Sequence, residues 1–352
     1  YTDSVPYINE EINYELLNTL ESKYNIFLET NDPINSGIIG IVFKGLDKNN
    51  NSKVIIKMLK NNIKQKLISV CNELKLLSYI ISYIPYLKNF NLYDLFLDNE
   101  EILLNQVNFV NETSNIEIFK SKNNNIVEFK IPGVYKEITN DLKDVIVMEN
   151  IKGLTFKDIE NFSEYDKTEF GKLILKFGYI SVLYNSAVHC DLHAGNIFFY
   201  KNDLNPDLPL YQIGLIDFGI VSYPSKESQN NFYNFFYNKE IIKNFDNIFD
   251  KIKYFIKPKG TCRQINNVNE LEEKLIYGLK KYAAKSEIVN FFNYLNKTLN
   301  AYNLSLTKEF NQIVLSLQIV GGLSKKLTKD IHIEQIKVFK NLTQANKLLE
   351  IY

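Results

Sequence analysis

The chain has little of what marks a specialised environment. Its three cysteines, Cys71, Cys190 and Cys262, are odd in number and show neither Cys-x-x-Cys nor Cys/His zinc spacing. A disulfide framework is therefore not expected, and a reducing compartment inside the cell is. With 14 glycines and 8 prolines thinly spread, no Gly/Pro-rich linker or fixed-period repeat divides the 352 residues. Arg263 is the only arginine, so any site that needs a bidentate guanidinium must do without one. Charge of either sign is not in excess: Lys plus Arg and Asp plus Glu each total 41, which speaks against a polyanion-coating surface and a nucleic-acid partner. Long apolar runs are missing too. The densest stretches, Ile80 to Leu87 and Ile313 to Leu323, are short or broken by Pro85, Ser316 and Gln318, so no transmembrane helix is expected and the chain reads as water-soluble. The only methionines are Met58 and Met148, and the first residue is Tyr1, so an initiator, with or without a cleaved targeting segment, is expected upstream.

What is present is apolar surface. Hydrophobic residues make up 45% and aromatics 13%, enough for one large domain or two of ordinary size. Residues 37 to 58 alternate like a hairpin, with Ile39, Ile41 and Phe43 on one face, a polar turn from Asp47 to Ser52, and a strand over Lys53-Val54-Ile55-Ile56-Lys57. The period then becomes helical. Leu67, Val70, Leu74, Leu77, Ile81 and Ile84 recur at three and four residues until Pro85. A second helix is expected over about 99 to 120, and strands over Ile126 to Phe129 and Asp144 to Met148. Ser163 with Asp166 three residues on predicts a helix start, followed by the stripe Phe170, Leu173, Ile174, Phe177, Ile180 and Tyr184. Short strands follow at Ile197 to Tyr200 and Gly214 to Ile216, and 225 to 352 is helical in texture. Strands first and helices second predict an α+β chain.

The chemistry-bearing strings lie between those elements: His189-Cys190-Asp191-Leu192-His193-Ala194-Gly195-Asn196, then Ile216-Asp217-Phe218-Gly219. An Asp, an Asn five residues on and a second Asp before Phe-Gly, in that order, form the layout of phosphoryl transfer. That chemistry needs one carboxylate near the accepting oxygen and two oxygen ligands for metal ions that neutralise phosphates. Asp191 suits the first role, Asn196 and Asp217 the second. Upstream, Gly37 and Gly40 in Asn35-Ser36-Gly37-Ile38-Ile39-Gly40-Ile41-Val42 can bring backbone N–H groups near phosphates, and Lys57 follows on the next strand. The order is glycine loop, strand lysine, Asp-to-Asn loop, Asp-Phe-Gly.

These residues resemble the protein-kinase-like superfamily and, more narrowly, the UbiB/ADCK (AarF-domain) family of atypical kinases. Pro33-Ile34, Asn108-Phe109 with Glu112 and Asn115, Ile131-Pro132-Gly133-Val134-Tyr135, Val145 to Gly153 and the Asp-Leu-His-x-Gly-Asn loop are similar to that family's blocks. The resemblance implies a bilobal kinase-like fold, with residues 1–150 as a sheet-bearing lobe elaborated by helices and 151–352 as a helical lobe. It implies ATP and Mg2+ as cofactors, with Gly37, Gly40, Val42 and Lys57 around the phosphates and Met148, Glu149 and Ile151 at the adenine hinge. It also implies an acid partner for Lys57. Glu112 matches the family block, and Glu73 competes because it lies on the preceding helix at the spacing usual for ordinary kinases.

The chain departs from the family pattern in several places. It has Asn35-Ser36-Gly37 where the family has an alanine-rich loop, Asn108 where it has Asp, Ala194 where it has Pro, and no Lys-x-Gly-Gln motif. Cys190 replaces the arginine that reads a phosphorylated activation loop in many kinases, and no Ala-Pro-Glu follows, so loop phosphorylation is not expected to activate it. His189 is expected to bond backbone near Asp217. His193 could contact phosphate or substrate, or stabilise its loop, while His332 should lie at the surface and Phe232 to Tyr237 in a helix core. The leading expectation is an ATP-dependent kinase or ATPase acting on an unknown protein, lipid or small-molecule acceptor, with peripheral membrane contact allowed. The alternatives are a phosphotransferase of the aminoglycoside or choline kinase type and a nucleotide-gated pseudokinase scaffold.

Overall fold

The computed structural model describes residues 5–84, 92–237, 252–258, 267–282, 288–331, 333–335, 337–338 and 341–342. Pro85, Cys262, Arg263 and His332 lie outside them. The chain divides into two compact units, Tyr1–Leu154 with Gly214–Ile220, and Thr155–Ile213 with Val221–Tyr352. A small antiparallel sheet with helices builds the first, and the second is mainly helical, an α+β composition as the sequence predicts.

In the first unit, helix α1 (Tyr14–Tyr24) leads into β1 (Ile26–Leu28), β2 (Asn35–Ser36), β3 (Gly40–Asp47) and β4 (Ser52–Leu59). The β3–β4 hairpin pairs Gly40 with Leu59 and Asp47 with Ser52, closed by the expected Asn-rich turn, in which Asn51 takes a left-handed φ of 57°. Helices α2 (Ile63–Ile81), α3 (Leu92–Asn105) and α4 (Phe109–Lys122) follow, then β5 (Phe129–Lys130), α5 (Lys136–Leu142) and β6 (Val145–Glu149). The sheet order is β1-β3-β4-β6, with β2 on β3.

Strand alternation gives this sheet two apolar faces. Ile41, Phe43, Val54, Ile56, Met58, Val145 and Val147 pack with Leu16, Leu17 and Leu20 of α1 and Ile138 of α5. On the opposite face Leu59, Ile146 and Met148 pack with Val107 and Phe109 at the start of α4. Each large side chain removed from water in this way contributes about 1.5–3 kcal/mol. Lys57 has the parity of this second face and stands opposite Val42 on one neighbour and Ile146 on the other.

Two expectations are corrected here. The helix expected over 99 to 120 is two helices, because the Asn108 side chain accepts the Asn111 N–H at 3.1 Å and caps a new start. The strand expected at Ile126 shrinks to Phe129–Lys130, since Ile126 and Phe129 close turns onto Asn123 and Ile126. The helix expected after β4 is present as α2, and its apolar stripe stays largely exposed. Cys71 and Ser78 are buried, while Val70, Leu74 and Leu77 remain 47%, 43% and 53% exposed.

In the second unit α6 (Glu164–Ile180) starts at Ser163, whose Oγ accepts the Asp166 N–H at 3.1 Å. It runs into a π-turn at Ser181–Asn185 and then β7 (Val188–His189), β8 (Ile197–Lys201), β9 (Tyr211–Leu215), β10 (Val221–Ser222) and α7 (Lys226–Tyr237). Phe232 is buried in α7, whereas Tyr233 is 39% exposed. Beyond them lie β11 (Ile256–Pro258), α8 (Val268–Lys281), α9 (Ile288–Ala301), β12 (Leu304–Leu306) and α10 (Lys308–Leu327).

Helices α6 and α10 meet through small residues. Ser324 Oγ donates to the Gly171 carbonyl at 3.0 Å, and a Cβ on Gly178 would lie 2.8 Å from a Val320 methyl. Gly178→Ala should therefore lower the unfolding free energy by about 1–3 kcal/mol through overpacking, and adding Val320→Ala should recover part of that loss. Urea unfolding of the two single variants and the double variant checks this, and strict additivity would contradict the contact.

Candidate functional site

The site begins with a lysine that the sheet holds in place. Lys57 sits in the centre of β4, paired on both sides, so its Cα position is fixed and only the side chain has freedom. Its Nζ donates to both carboxylate oxygens of Glu112, at 2.8 and 3.0 Å, and lies 5.4 Å from the Phe109 ring centroid. Glu112 is 2% exposed, one turn into α4 after the Asn108 cap. Glu73 makes no part of this arrangement: it is exposed on α2 and accepts from Ser69 Oγ at 3.2 Å.

A third group, which sequence reading did not pair with the lysine, joins them. Asp217 Oδ2 lies 3.1 Å from Lys57 Nζ, although 160 residues separate the two in the chain. Asp217 takes a left-handed φ of 62°, held by its own Oδ1, which accepts the Gly219 N–H at 3.2 Å. Helix α4 grips this turn a second time, since Asn115 Nδ2 donates to the Phe218 carbonyl at 2.8 Å. The Phe119 and Phe218 rings pack 4.9 Å apart. Glu112 and Asn115, three residues apart on one helix face, thus hold the lysine and the Asp-Phe-Gly turn together. A Cβ on Gly219 would come within 3.3 Å of Asp217 Oδ1, which leaves no easy room for a side chain there.

One ammonium lies between two carboxyl groups. Burial opposes the charge on Lys57, but Asp217 and Glu112 outweigh it and its pKa is raised. Burial pushes the Glu112 carboxyl up to about 7; the Lys57 charge opposes this and the Asp217 charge adds to it.

The glycine loop is a tight turn in which Gly37 N–H donates to the Gly40 carbonyl at 2.9 Å, with Ile38 at its tip 75% exposed. A Cβ at Gly37 would meet only the Gly40 carbonyl at 3.7 Å, whereas one at Gly40 would lie 3.0 Å from the Met58 carbonyl. Close approach therefore constrains Gly40 more than Gly37. At the end of β6, the Glu149 N–H donates to the Gly133 carbonyl at 2.8 Å and the Ile151 N–H to the Glu149 carbonyl at 3.1 Å. Met148 stays in the sheet, opposite Ile55.

In the second unit the loop after β7 carries Asp191 and Asn196. Asn196 is 5% exposed, and its Nδ2 donates to the Asp191 carbonyl at 3.0 Å, which leaves Oδ1 as the atom suited to a cation. His189 Nδ1 accepts the Asp191 N–H at 3.2 Å, so the histidine bonds the backbone of its own loop. His193 Nδ1 accepts the Gly195 N–H at 3.1 Å, which gives it a loop-stabilising contact. Ser316 of α10 donates to the His189 carbonyl at 2.9 Å, a brace that no sequence signal marked. Burial pushes the Cys190 thiol up to about 12, so it remains a protonated, inert neighbour.

Oxygen donors of this kind suit a hard cation. Mg2+ is commonly held by one or two carboxylates together with substrate phosphates. No group of three or more His, Cys, Asp or Glu side chains that could hold a metal occurs among the described residues.

Comparison with known proteins places these observations. The model of the ABC1 atypical kinase-like domain matches residues 2–251. A probable protein kinase UbiB of Blochmanniella pennsylvanica is 23% identical over 327 residues, covering 90% of this chain and 57% of the relative. An uncharacterised chloroplastic aarF domain-containing protein kinase of Arabidopsis thaliana is 28% identical over 220 residues, 61% of this chain and 38% of that protein. The chain thus spans little more than half the length of the first relative and less of the second.

The shared lysine makes a pH prediction. Between pH 4.5, the ordinary carboxyl value, and about 7, the folded chain retains a proton on Glu112 that the unfolded chain has released. That group's contribution to stability therefore falls as pH rises through this window. Urea unfolding at pH 5 and pH 8 should show the wild type losing on the order of 1–3 kcal/mol relative to Glu112→Gln. A difference that stays constant with pH would contradict the assignment.

Proposed function

Since the chain belongs to the ABC1 atypical kinase-like family, we propose that it binds ATP with Mg2+ and transfers the γ-phosphoryl group to an acceptor or to water. The observation that carries this reading is the buried Lys57–Glu112 pair, which also reaches Asp217. A strand lysine fixed by a buried glutamate is a positioned cation for phosphate oxygens, and positioning with electrostatics supplies nearly all the catalysis in this reaction class. Bound Mg2+ would neutralise charge on the phosphates.

The chain's own residues do the rest. Lys57 holds the phosphates, and Glu112 keeps its ammonium from swinging away. Asp217 and Asn196 offer carboxylate and amide oxygens to the cation. Asp191 orients the accepting hydroxyl or water and receives its proton. Gly37, Gly40 and Val42 line the phosphate end, and the backbone from Met148 to Ile151 faces the base. There the Glu149 carbonyl and Ile151 N–H, now bonded to each other, would exchange that bond for the adenine edge. The acceptor is a protein, a lipid or a small molecule.

A second reading, a nucleotide-gated scaffold without turnover, is favoured by one observation: Lys57 occupies the Asp217 carboxylate, so the cation must compete for it.

Thermal unfolding tests the common part of both readings. Mg-ATP at a hundredfold excess over Kd should stabilise the chain by about 2.7 kcal/mol, raising the midpoint by roughly 2–4 °C. Asp217→Asn should lose the magnesium-dependent share and Lys57→Met most of the nucleotide-dependent share. Phosphate release by the wild type separates enzyme from scaffold. An unmoved wild-type midpoint at millimolar Mg-ATP would overturn both.

A further inference from the structure

The residues before α1 are tied to both shoulders of the glycine loop. On the entry side the Val5 N–H donates to the Ser36 carbonyl at 2.6 Å, one residue before Gly37. On the exit side the Ile39 carbonyl, one residue before Gly40, accepts the Lys60 N–H at 3.0 Å. Lys60, just past the end of β4, is itself clamped by the N-terminal segment. Its side chain is 5% exposed, and its Nζ lies 2.9 Å from Glu11 Oε2. The next residue repeats the grip: the Asn61 N–H donates to the Glu11 carbonyl at 2.9 Å, and its side-chain amide to the Glu10 and Ile12 carbonyls at 2.9 and 3.1 Å.

The segment approaches the loop from one side of the sheet. Tyr7 and Ile12 pack with the apolar cluster that contains Ile41, Phe43 and Met58. Lys57, one residue from Met58 on the same strand, has the opposite parity. The segment therefore holds the loop from the face away from the phosphate-binding lysine.

We propose that residues 5–12 brace the glycine loop and that Glu11 is a positioning residue for bound nucleotide, acting through Lys60 on the Ile39 carbonyl. This rests on the reading of the loop as the phosphate end of an ATP site. Glycines leave a loop with much backbone freedom to lose. A buried ammonium held by one carboxylate has one place to be, and the backbone N–H of the same residue is then fixed for Ile39. Without Glu11 the Lys60 charge is relieved by movement toward water, and the exit shoulder of the loop moves with it. A loop already held in place loses less freedom when phosphate binds, so the brace strengthens nucleotide binding. A pair that served stability alone would loosen the whole sheet when broken, without singling out the loop.

Amide hydrogen exchange of the ligand-free chain, with calorimetric titration of Mg-ATP into the same proteins, tests this. Two variants guard against misfolding: Glu11→Ala removes the carboxylate, and Lys60→Met removes the ammonium without leaving a buried lone charge. In both, residues 34–42 should exchange about tenfold faster than in the wild type while residues 145–149 of β6 keep their rate. The Kd for Mg-ATP should rise about tenfold in both. Glu11→Asp, which keeps the charge, should lie closer to the wild type than Glu11→Ala in both measurements. Loop exchange that is unchanged, or raised equally in β6, would overturn the brace. So would a faster-exchanging loop that binds Mg-ATP as tightly as the wild type or more tightly. A wild type that binds no Mg-ATP would contradict the nucleotide reading instead, and the exchange result alone would then decide the brace.

Discussion

A single ammonium group shared by two carboxylates organises the first unit. Lys57 can meet Glu112 and Asp217 together only because three different elements converge on it: the centre of β4, the first turns of α4 and the Asp-Phe-Gly segment. Each element is fixed by something else. Strand pairing on both edges locates the lysine, the Asn108 cap sets where α4 begins, and the Asn115 bond to the Phe218 carbonyl ties α4 to the turn. Removing one partner of such a buried group leaves an uncompensated charge, which costs more than the pair contributes when intact.

That coupling has a functional consequence. A shift of α4 moves the lysine's partner and the turn that carries Asp217 at once, so both carboxyl groups around Lys57 respond to one helix. The second unit holds Asp191 and Asn196 by local means, through the His189 ring, the Asn196 amide and the Ser316 hydroxyl. Its brace comes from α10, which itself depends on the absence of side chains at Gly171 and Gly178.

Much of this could be read from the sequence. The β3–β4 hairpin was legible because strand alternation and an Asn-rich turn agree, and the start of α6 because Ser163 and Asp166 have capping spacing. Glu112 could be preferred to Glu73 only through its motif, since distance along the chain from Lys57 favours Glu73. The contact between Lys57 and Asp217 joins residues far apart in sequence, and no local pattern encodes it. The apolar stripe on α2 marked the helix but not its packing, since periodicity does not say which face the rest of the chain covers. The break at Asn108 was hidden because apolar texture continues across it, while a single side-chain cap decides where the helix restarts.

The central claim is that Glu112 acts on nucleotide through Lys57. Calorimetric titration of Mg-ATP into the wild type, Lys57→Met, Glu112→Gln and the double variant at pH 8 measures this directly. The account predicts that each single change weakens binding and that the double variant binds no more weakly than Lys57→Met alone, a coupling on the order of 1–3 kcal/mol. Losses that add, or a Glu112→Gln chain that binds Mg-ATP as the wild type does, would contradict it.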